Sequence, residues 1–313
     1  MNRNDCFDLL KSTLSALIND DYIFLDLPYF SNVGDILIWQ ATLDILKEIP
    51  YKCLYSASSD TYVKPVISEK TPILFMGGGN FGDLWVKHQV FRHKVLNDFP
   101  QNPIIQLPQS VYFSSAEMME EDIEIFRKHQ GEIVICTRDL NSYKIISNEY
   151  SFVKSLLLPD LVLSLNIDKY TTKGEPSEKI LFVKRNDSEF TQLKNQVLLP
   201  PNVEIADWPC MYSDIFEYRV MLKIDGFMKR LPLLRRYRMK MKDFFYKHIL
   251  RLAYIHSGIK FLIPYKTIYS TRLHAAILGF LLGKEVYMLD NSYGKCSGVY
   301  DLWLEDQSNI KML

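Results

Sequence analysis

The chain reads as an α/β protein of two domains, each built on a parallel sheet with helices on both faces. Three observations predict this. Its 313 residues are too many for one ordinary core and suit two domains of roughly 150 residues each. Short apolar, β-rich runs alternate with helical patterns in two successive series. A polar stretch at 166–177, NIDKYTTKGEPS, lies between the series and carries Gly174 and Pro176, as a linker does. Domains are therefore expected at 1–165 and 178–313, as two Rossmann-like lobes facing a cleft in the GT-B-like manner. Ligands would then sit beyond the carboxyl ends of the strands.

The elements follow in order. The first series predicts strands at 22–27, 73–76, 104–107, 132–136 and 156–158, with helices at 36–47, 86–97, 116–129 and 140–148. The second predicts strands at 179–184, 203–206, 267–270 and 285–289, with helices at 188–196 and 272–282. Hydrophobic residues make up 48% and charged residues 24%, so a sizeable core can be buried and disorder is excluded. Lys+Arg and Asp+Glu both total 37, so net charge selects no partner. The five cysteines are scattered, with no CxxC pair. This excludes a zinc ribbon or disulfide scaffold and fits a reducing cytoplasm. The first residues, MNRNDCFDLLKS, contain no apolar signal core, and no run reaches the roughly 18 uncharged apolar residues of a membrane span. Any meeting with a membrane is expected at its surface.

Five motifs carry polar chemistry at predicted strand ends. Asn32-Val33-Gly34-Asp35 opens a helix, where free N–H groups can hold an anion; an ordinary capped turn has the same pattern. Gly77, Gly78 and Gly79, then Asn80, Phe81, Gly82 and Asp83, follow the strand ILFM and read as a ligand-binding loop. That spacing is neither a Walker A loop nor GxGxxG. Gln109 and Ser110 follow the next strand in a short loop and could bond sugar hydroxyls or phosphate oxygens. Thr137-Arg138-Asp139 places a guanidinium where it could clamp a carboxylate or phosphate, or else pair with Asp139 on a solvated face. Ser270-Thr271-Arg272-Leu273-His274 is the sharpest. A fixed charge and a titratable imidazole meet at a helix start, where the helix dipole favours an anion. No metal site is expected, since no HExxH occurs, and no GxSxG elbow is present.

In this order, NVGD, GGGNFGD, PQS, TRD and STRLHAAILGFLLGKEV resemble the polysaccharide pyruvyl transferase family across about 22–289. The least matched part is 211–264. The resemblance implies a GT-B-like fold, phosphoenolpyruvate as donor and co-substrate with no other cofactor, and a pyruvate ketal on a hexose. It implies donor binding and catalysis by Arg272 and His274, with Arg138 matching the family's arginine. Lys184 and Arg185 stand where the family tends to carry a basic residue. The expected donor-binding set is then Arg138, Gly77, Gly78, Gly79, Asn80, Lys184 and Arg185. Asn32, Asp83 and Gln109 are expected at the acceptor, with His274 as acid/base, Arg272 beside it, and Asp35 or Asp83 assisting. The acceptor would be a surface polysaccharide or its polyprenyl-diphosphate-linked precursor.

One segment stands apart. Residues 219–251 hold eleven cations against Asp225 and Asp243. Pro232 would open a helix and Gly258 would follow its end, with Leu234, Tyr237, Met241, Phe245, Ile249, Leu252 and Ile255 on one face. A basic amphipathic helix of this kind fits either an anionic membrane surface or a core-facing helix with a solvated rim. On the membrane reading the chain is expected in the cytoplasm, on the inner face of the plasma membrane. Nucleic acid is not expected, because no binding motif accompanies the charge. Two other readings share these features. One is a GT-B glycosyltransferase using a nucleotide sugar, which would need a base-and-ribose pocket. The other is a non-catalytic scaffold at the membrane, against which the glycine cluster and the Arg272–His274 motif count.

Overall fold

The computed structural model describes residues 1–171, 177–185, 199–290 and 294–313. The predicted helix at 188–196 and residues 172–176 of the predicted linker lie outside the described residues. Strands run in chain order as β1 (Tyr22–Leu25), β2 (Cys53–Ala57), β3 (Ile73–Phe75), β4 (Gly78–Gly82), β5 (Ile104–Tyr112), β6 (Ile133–Thr137) and β7 (Lys154–Leu157), then β8 (Ile180–Val183), β9 (Val203–Ala206), β10 (Thr267–Ser270), β11 (Glu285–Met288) and β12 (Ile310–Met312).

The chain divides into two compact units. One comprises Asn2–Pro28 and Ala41–Ser164, the other Met1, Tyr29–Gln40 and Leu165–Leu313. The NVGD segment thus belongs with the second half of the chain, a placement its sequence position gives no hint of. The helix Val33–Leu46 begins in one unit and ends in the other.

The first unit holds a parallel sheet ordered β2-β1-β3-β5-β6-β7, with β4 pairing β5. Its interior strands are buried on both faces and read as unbroken apolar runs, as central parallel strands do. The second unit holds a parallel sheet ordered β12-β11-β10-β8-β9. The order of each sheet reverses once: between β1 and β3 in the first, and between β8 and β10 in the second. At such reversals the connecting segments leave in opposite directions and open a crevice at the strands' carboxyl ends.

Two local expectations are corrected. The triple-glycine segment is not a loop: Gly78–Gly82 is strand β4, with Gly78 opposite Gln109 and Gly82 opposite Tyr112. Gln109 and Ser110 are likewise inside β5, buried, and not in a loop. Gly82 shows why glycine is needed there. Its φ is 108°, and a Cβ would lie 2.8 Å from the Tyr112 carbonyl carbon and closer still to its oxygen. Glycine here lets two strands approach, which a sequence reader cannot distinguish from room left for a ligand.

The basic segment is also different from the single helix expected. Helices Phe216–Arg230 and Pro232–Arg235 precede Arg238–Phe245, which runs on through a π-helical turn at Tyr246–Leu250 into Arg251–Leu262. Gly258 lies within that last helix and packs against Val33. The buried face is Tyr246, Leu250, Tyr254, Ile255, Ile259 and Leu262; of the expected face only Ile255 is buried. The break before Arg238 and the extra residue in the π turn rotate the face away from a constant 3.6-residue period. Among the described residues no helix is long and apolar enough to cross a membrane.

Candidate active site

In the second unit, several candidate residues gather at the carboxyl end of the sheet. β8 ends into Lys184 and Arg185, β9 into Asp207, and β10 into Thr271 and Arg272. Local bonds lock them together. The Thr271 amide donates to the Val183 carbonyl (3.1 Å), and the Arg185 amide donates to Thr271 Oγ1 (2.9 Å). This joins β8 and β10 at the reversal point. The Arg272 amide donates to Ser270 Oγ (3.0 Å), fixing the turn into the helix Leu273–Leu281.

Arg272 binds Asp207 with two parallel bonds, Nη2 donating to Oδ2 at 2.7 Å and Nε donating to Oδ1. Both side chains are largely shielded from water. The fork geometry holds the guanidinium in one orientation and offsets its charge until another anion arrives. Asp207 was absent from the sequence reading. Its only local signal was its position directly after a strand.

His274 stands one residue beyond Leu273, in the first turn of that helix, and is 8% exposed. Its ring lies directly over Gly34. A Cβ on Gly34 would fall 2.8 Å from Cγ and 3.0 Å from Cβ of His274, and nearer still to Nδ1. Gly34 is therefore the seat of the imidazole. Asn32 shapes that seat: its Oδ1 accepts the Gly34 amide (2.9 Å), and its carbonyl accepts the Ile36 amide (3.2 Å). Asn32 thus acts as a helix cap, and its side-chain oxygen faces its own backbone. Asp35 follows in the first turn, half-buried.

In the first unit Asn80 and Gln109 occupy one internal network. Arg92, 1% exposed, donates through Nε to Gln106 Oε1 (2.8 Å) and through Nη2 to Asn80 Oδ1 (2.6 Å). Its Nη1 donates to the Asn80 carbonyl and to Gln89 Oε1, both at 3.1 Å. Gln109 Nε2 donates to Asn80 Oδ1 (2.9 Å) and the Met76 carbonyl (3.0 Å), while its Oε1 accepts the Asn80 amide (3.2 Å). Asn80 and Gln109 thus bond to each other and to the strand backbone. Burial pushes the Arg92 guanidinium down from its ordinary value, with the carboxylates of Asp26 and Asp122 opposing. Asp83 accepts from the Ser114 amide (2.6 Å), Ser114 Oγ (2.7 Å) and the Ser115 amide (3.1 Å), closing the turn that precedes the helix Ala116–Arg127.

Arg138 is fully buried and does not pair with Asp139 on a solvated face. Its Nε donates to Ser110 Oγ (2.9 Å) and its Nη1 to Asp160 Oδ2. Asp139 instead caps the helix Leu140–Glu149, accepting the Ser142 amide (2.8 Å).

A pair that sequence reasoning missed lies at the β1/β3 reversal. Asp26, directly after β1, is buried and holds a left-handed backbone (φ 65°), uncommon outside glycine. Its carboxylate contacts Nδ1 of His88 at 2.8 and 3.0 Å, and Arg92 Nη2 lies 3.7 Å from it. The His88 ring is partly exposed. A carboxylate beside one ring nitrogen fixes the orientation of the imidazole. The two residues are 62 positions apart, so no local pattern announced them. Among the described residues no cluster of His, Cys, Asp or Glu is placed to hold a metal ion.

Comparison with known proteins bears on the whole chain. A family profile described as polysaccharide pyruvyl transferase matches residues 32–293. EpsO of Bacillus subtilis, provisionally named a pyruvyl transferase, is 29% identical across 97% of this chain and 93% of its own length. Pyruvyl transferase 1 of Schizosaccharomyces pombe is 25% identical across 88% of this chain and 68% of its own. The crystal structure of a functionally uncharacterised Klebsiella pneumoniae protein superposes with a TM-score of 0.66 at 21% identity, covering 100% of this chain and 99% of that one. That last likeness concerns the fold alone.

Proposed function

The chain belongs to the polysaccharide pyruvyl transferase family, and we propose that it moves the three-carbon group of phosphoenolpyruvate onto a hexose as a pyruvate ketal. The acceptor in this reading is a surface polysaccharide or its polyprenyl-diphosphate-linked precursor. The observation that supports it best is His274 seated on Gly34, two residues from a guanidinium held by Asp207, at the sheet reversal of the second unit.

The chemistry assigns tasks to these groups. His274 protonates the methylene carbon of the donor, which becomes a methyl group and leaves an oxocarbenium-like centre at C2. Arg272 counters the donor's negative charge, with Lys184 and Arg185 at the neighbouring strand end. One sugar hydroxyl adds to C2, the C2–O bond to phosphate breaks, and a second hydroxyl closes the ring. Of the two hydroxyl protons, one replaces the proton given to carbon and the other leaves with phosphate. Asp35 stands one residue from the His274 seat and can take a hydroxyl proton.

The test is direct. Purified protein incubated with phosphoenolpyruvate and a panel of lipid-linked saccharides should release phosphate and add the mass of a pyruvate ketal to one of them. Stabilisation against heat by uridine or cytidine sugars, with none from phosphoenolpyruvate, would replace this reading with a nucleotide-sugar glycosyltransferase.

A further inference from the structure

We propose that the helical hairpin formed by residues 216–245 docks the protein on an anionic lipid bilayer through its turn, a surface distinct from the amphipathic face that the sequence pattern outlines. The proposal is independent of the transfer chemistry. It starts from exposure. Among the described residues, nine of the twenty exposed large hydrophobic side chains fall between Tyr212 and Phe244. Several sit together at the end of the first helix, in the connection and at the start of the next: Phe227 (61% exposed), Leu231, Leu233 (80%), Tyr237 and Met239. Leaving this much apolar surface in water is unfavourable, and a cluster of this kind marks a binding surface.

The turn is built, not frayed. Asp225, buried on the first helix, receives two bonds from Arg238 on the next, at 2.8 and 2.7 Å. The Arg238 bonds and nearby lysines hold the Asp225 carboxyl below its ordinary value, although burial opposes them, and the same bonds raise Arg238. This pair staples the two helices on either side of the connection. It fixes the connection that carries the exposed apolar residues, whereas Tyr246, Leu250 and Tyr254, later in the chain, are buried.

Charge selects the occupant. Residues 226–242 contain seven cations and no acid. Arg230, Arg235, Arg236 and Lys240 are exposed and pair with no carboxylate among the described residues. Arg236 lies over the Tyr237 ring, 4.8 Å from its centre. Aliphatic and aromatic side chains at the centre with arginines and lysines around them match the acyl–headgroup boundary of an anionic leaflet. A second copy of the chain would bring like charges together, and nucleic acid offers nothing to Leu231 and Leu233.

The experiment uses the full chain and vesicles of phosphatidylglycerol with phosphatidylcholine, against phosphatidylcholine alone. The protein should sediment with the mixed vesicles at low salt and be released by high salt. Joint Phe227→Glu and Leu233→Glu substitution should lower the partition at least about tenfold, as should Arg235→Glu with Arg236→Glu. All four positions are exposed, so unaltered thermal unfolding of each variant is the control for folding. Absence of binding at low salt overturns the proposal. So does binding that the apolar substitutions leave unchanged, which would place the attraction elsewhere. A concentration-dependent dimer in free solution that the same substitutions abolish would make a second copy the occupant and equally overturn it.

Discussion

In the proposed reaction, His274→Ala is expected to turn over phosphoenolpyruvate at least about 10²-fold more slowly than the parent at saturating donor, and Gly34→Ala, which removes no polar group, to lose a comparable factor. The reason is steric. A single methyl at residue 34 would occupy the space that His274 Cγ and Nδ1 now fill. Either the imidazole turns away or the start of the helix Val33–Leu46 shifts, and both misplace the proposed proton donor. Overpacking there should also lower stability, by about 1–3 kcal/mol. The double variant separates geometry from general damage. With His274 already alanine, the methyl on residue 34 has room, so the stability lost in Gly34→Ala should largely return. A cycle of the four proteins, followed by urea unfolding and phosphate release, reads this coupling directly. Strict additivity would show that Gly34 acts through something other than the imidazole. Full activity in Gly34→Ala would remove the seat from the mechanism.

Arg92→Leu is expected to lower the stability of the protein by about 3–5 kcal/mol, the largest effect expected away from the proposed catalytic groups. No other residue described here ties so many of the GGGNFG contacts together. Its guanidinium contacts Gln106, Gln89 and both oxygens of Asn80, and its charge lies near Asp26 and Asp122. It also stands over the Phe81 ring, 5.3 Å from its centre. Leucine can fill part of the volume and none of the bonds. The Asn80 carbonyl and Gln106 Oε1 would then lose the Arg92 donor, Asn80 Oδ1 would keep only Gln109, and Asp26 would lose a nearby cation. A shift of the urea midpoint reports this, and Arg127→Ala, on an exposed helix surface, should change it by no more than about 0.5 kcal/mol. A midpoint for Arg92→Leu equal to the parent would mean that water or rearrangement replaces the cation.

Much of the architecture was legible before any coordinates. The strand at 203–206 and the one at 267–270 occur as expected, and β1, β3, β6, β8 and β11 differ only at their ends. Central parallel strands are apolar on both faces, so their runs stand out against turn residues. Elements with a weaker contrast were missed. β2 is half exposed, β12 is three residues long, and β4 is mostly glycine, which has no side chain to show a period. The basic segment was legible as charge and helix, but its packed face was not. A π turn changes the period without leaving a mark in composition.

The sequence by itself determined the fold class, the family and the positions of its polar motifs at strand ends, because these depend on local period and on residue type. Tertiary structure alone decided what those motifs touch. Asn80, Gln109 and Arg138 bond to their own unit, Asp207 joins Arg272 from 65 residues away, and Asp26 meets His88. It also brought Gly34 under His274, across 240 residues of chain. Contacts between side chains follow from how sheets order their strands, and strand order is set by the packing of whole elements, which no short stretch of sequence contains.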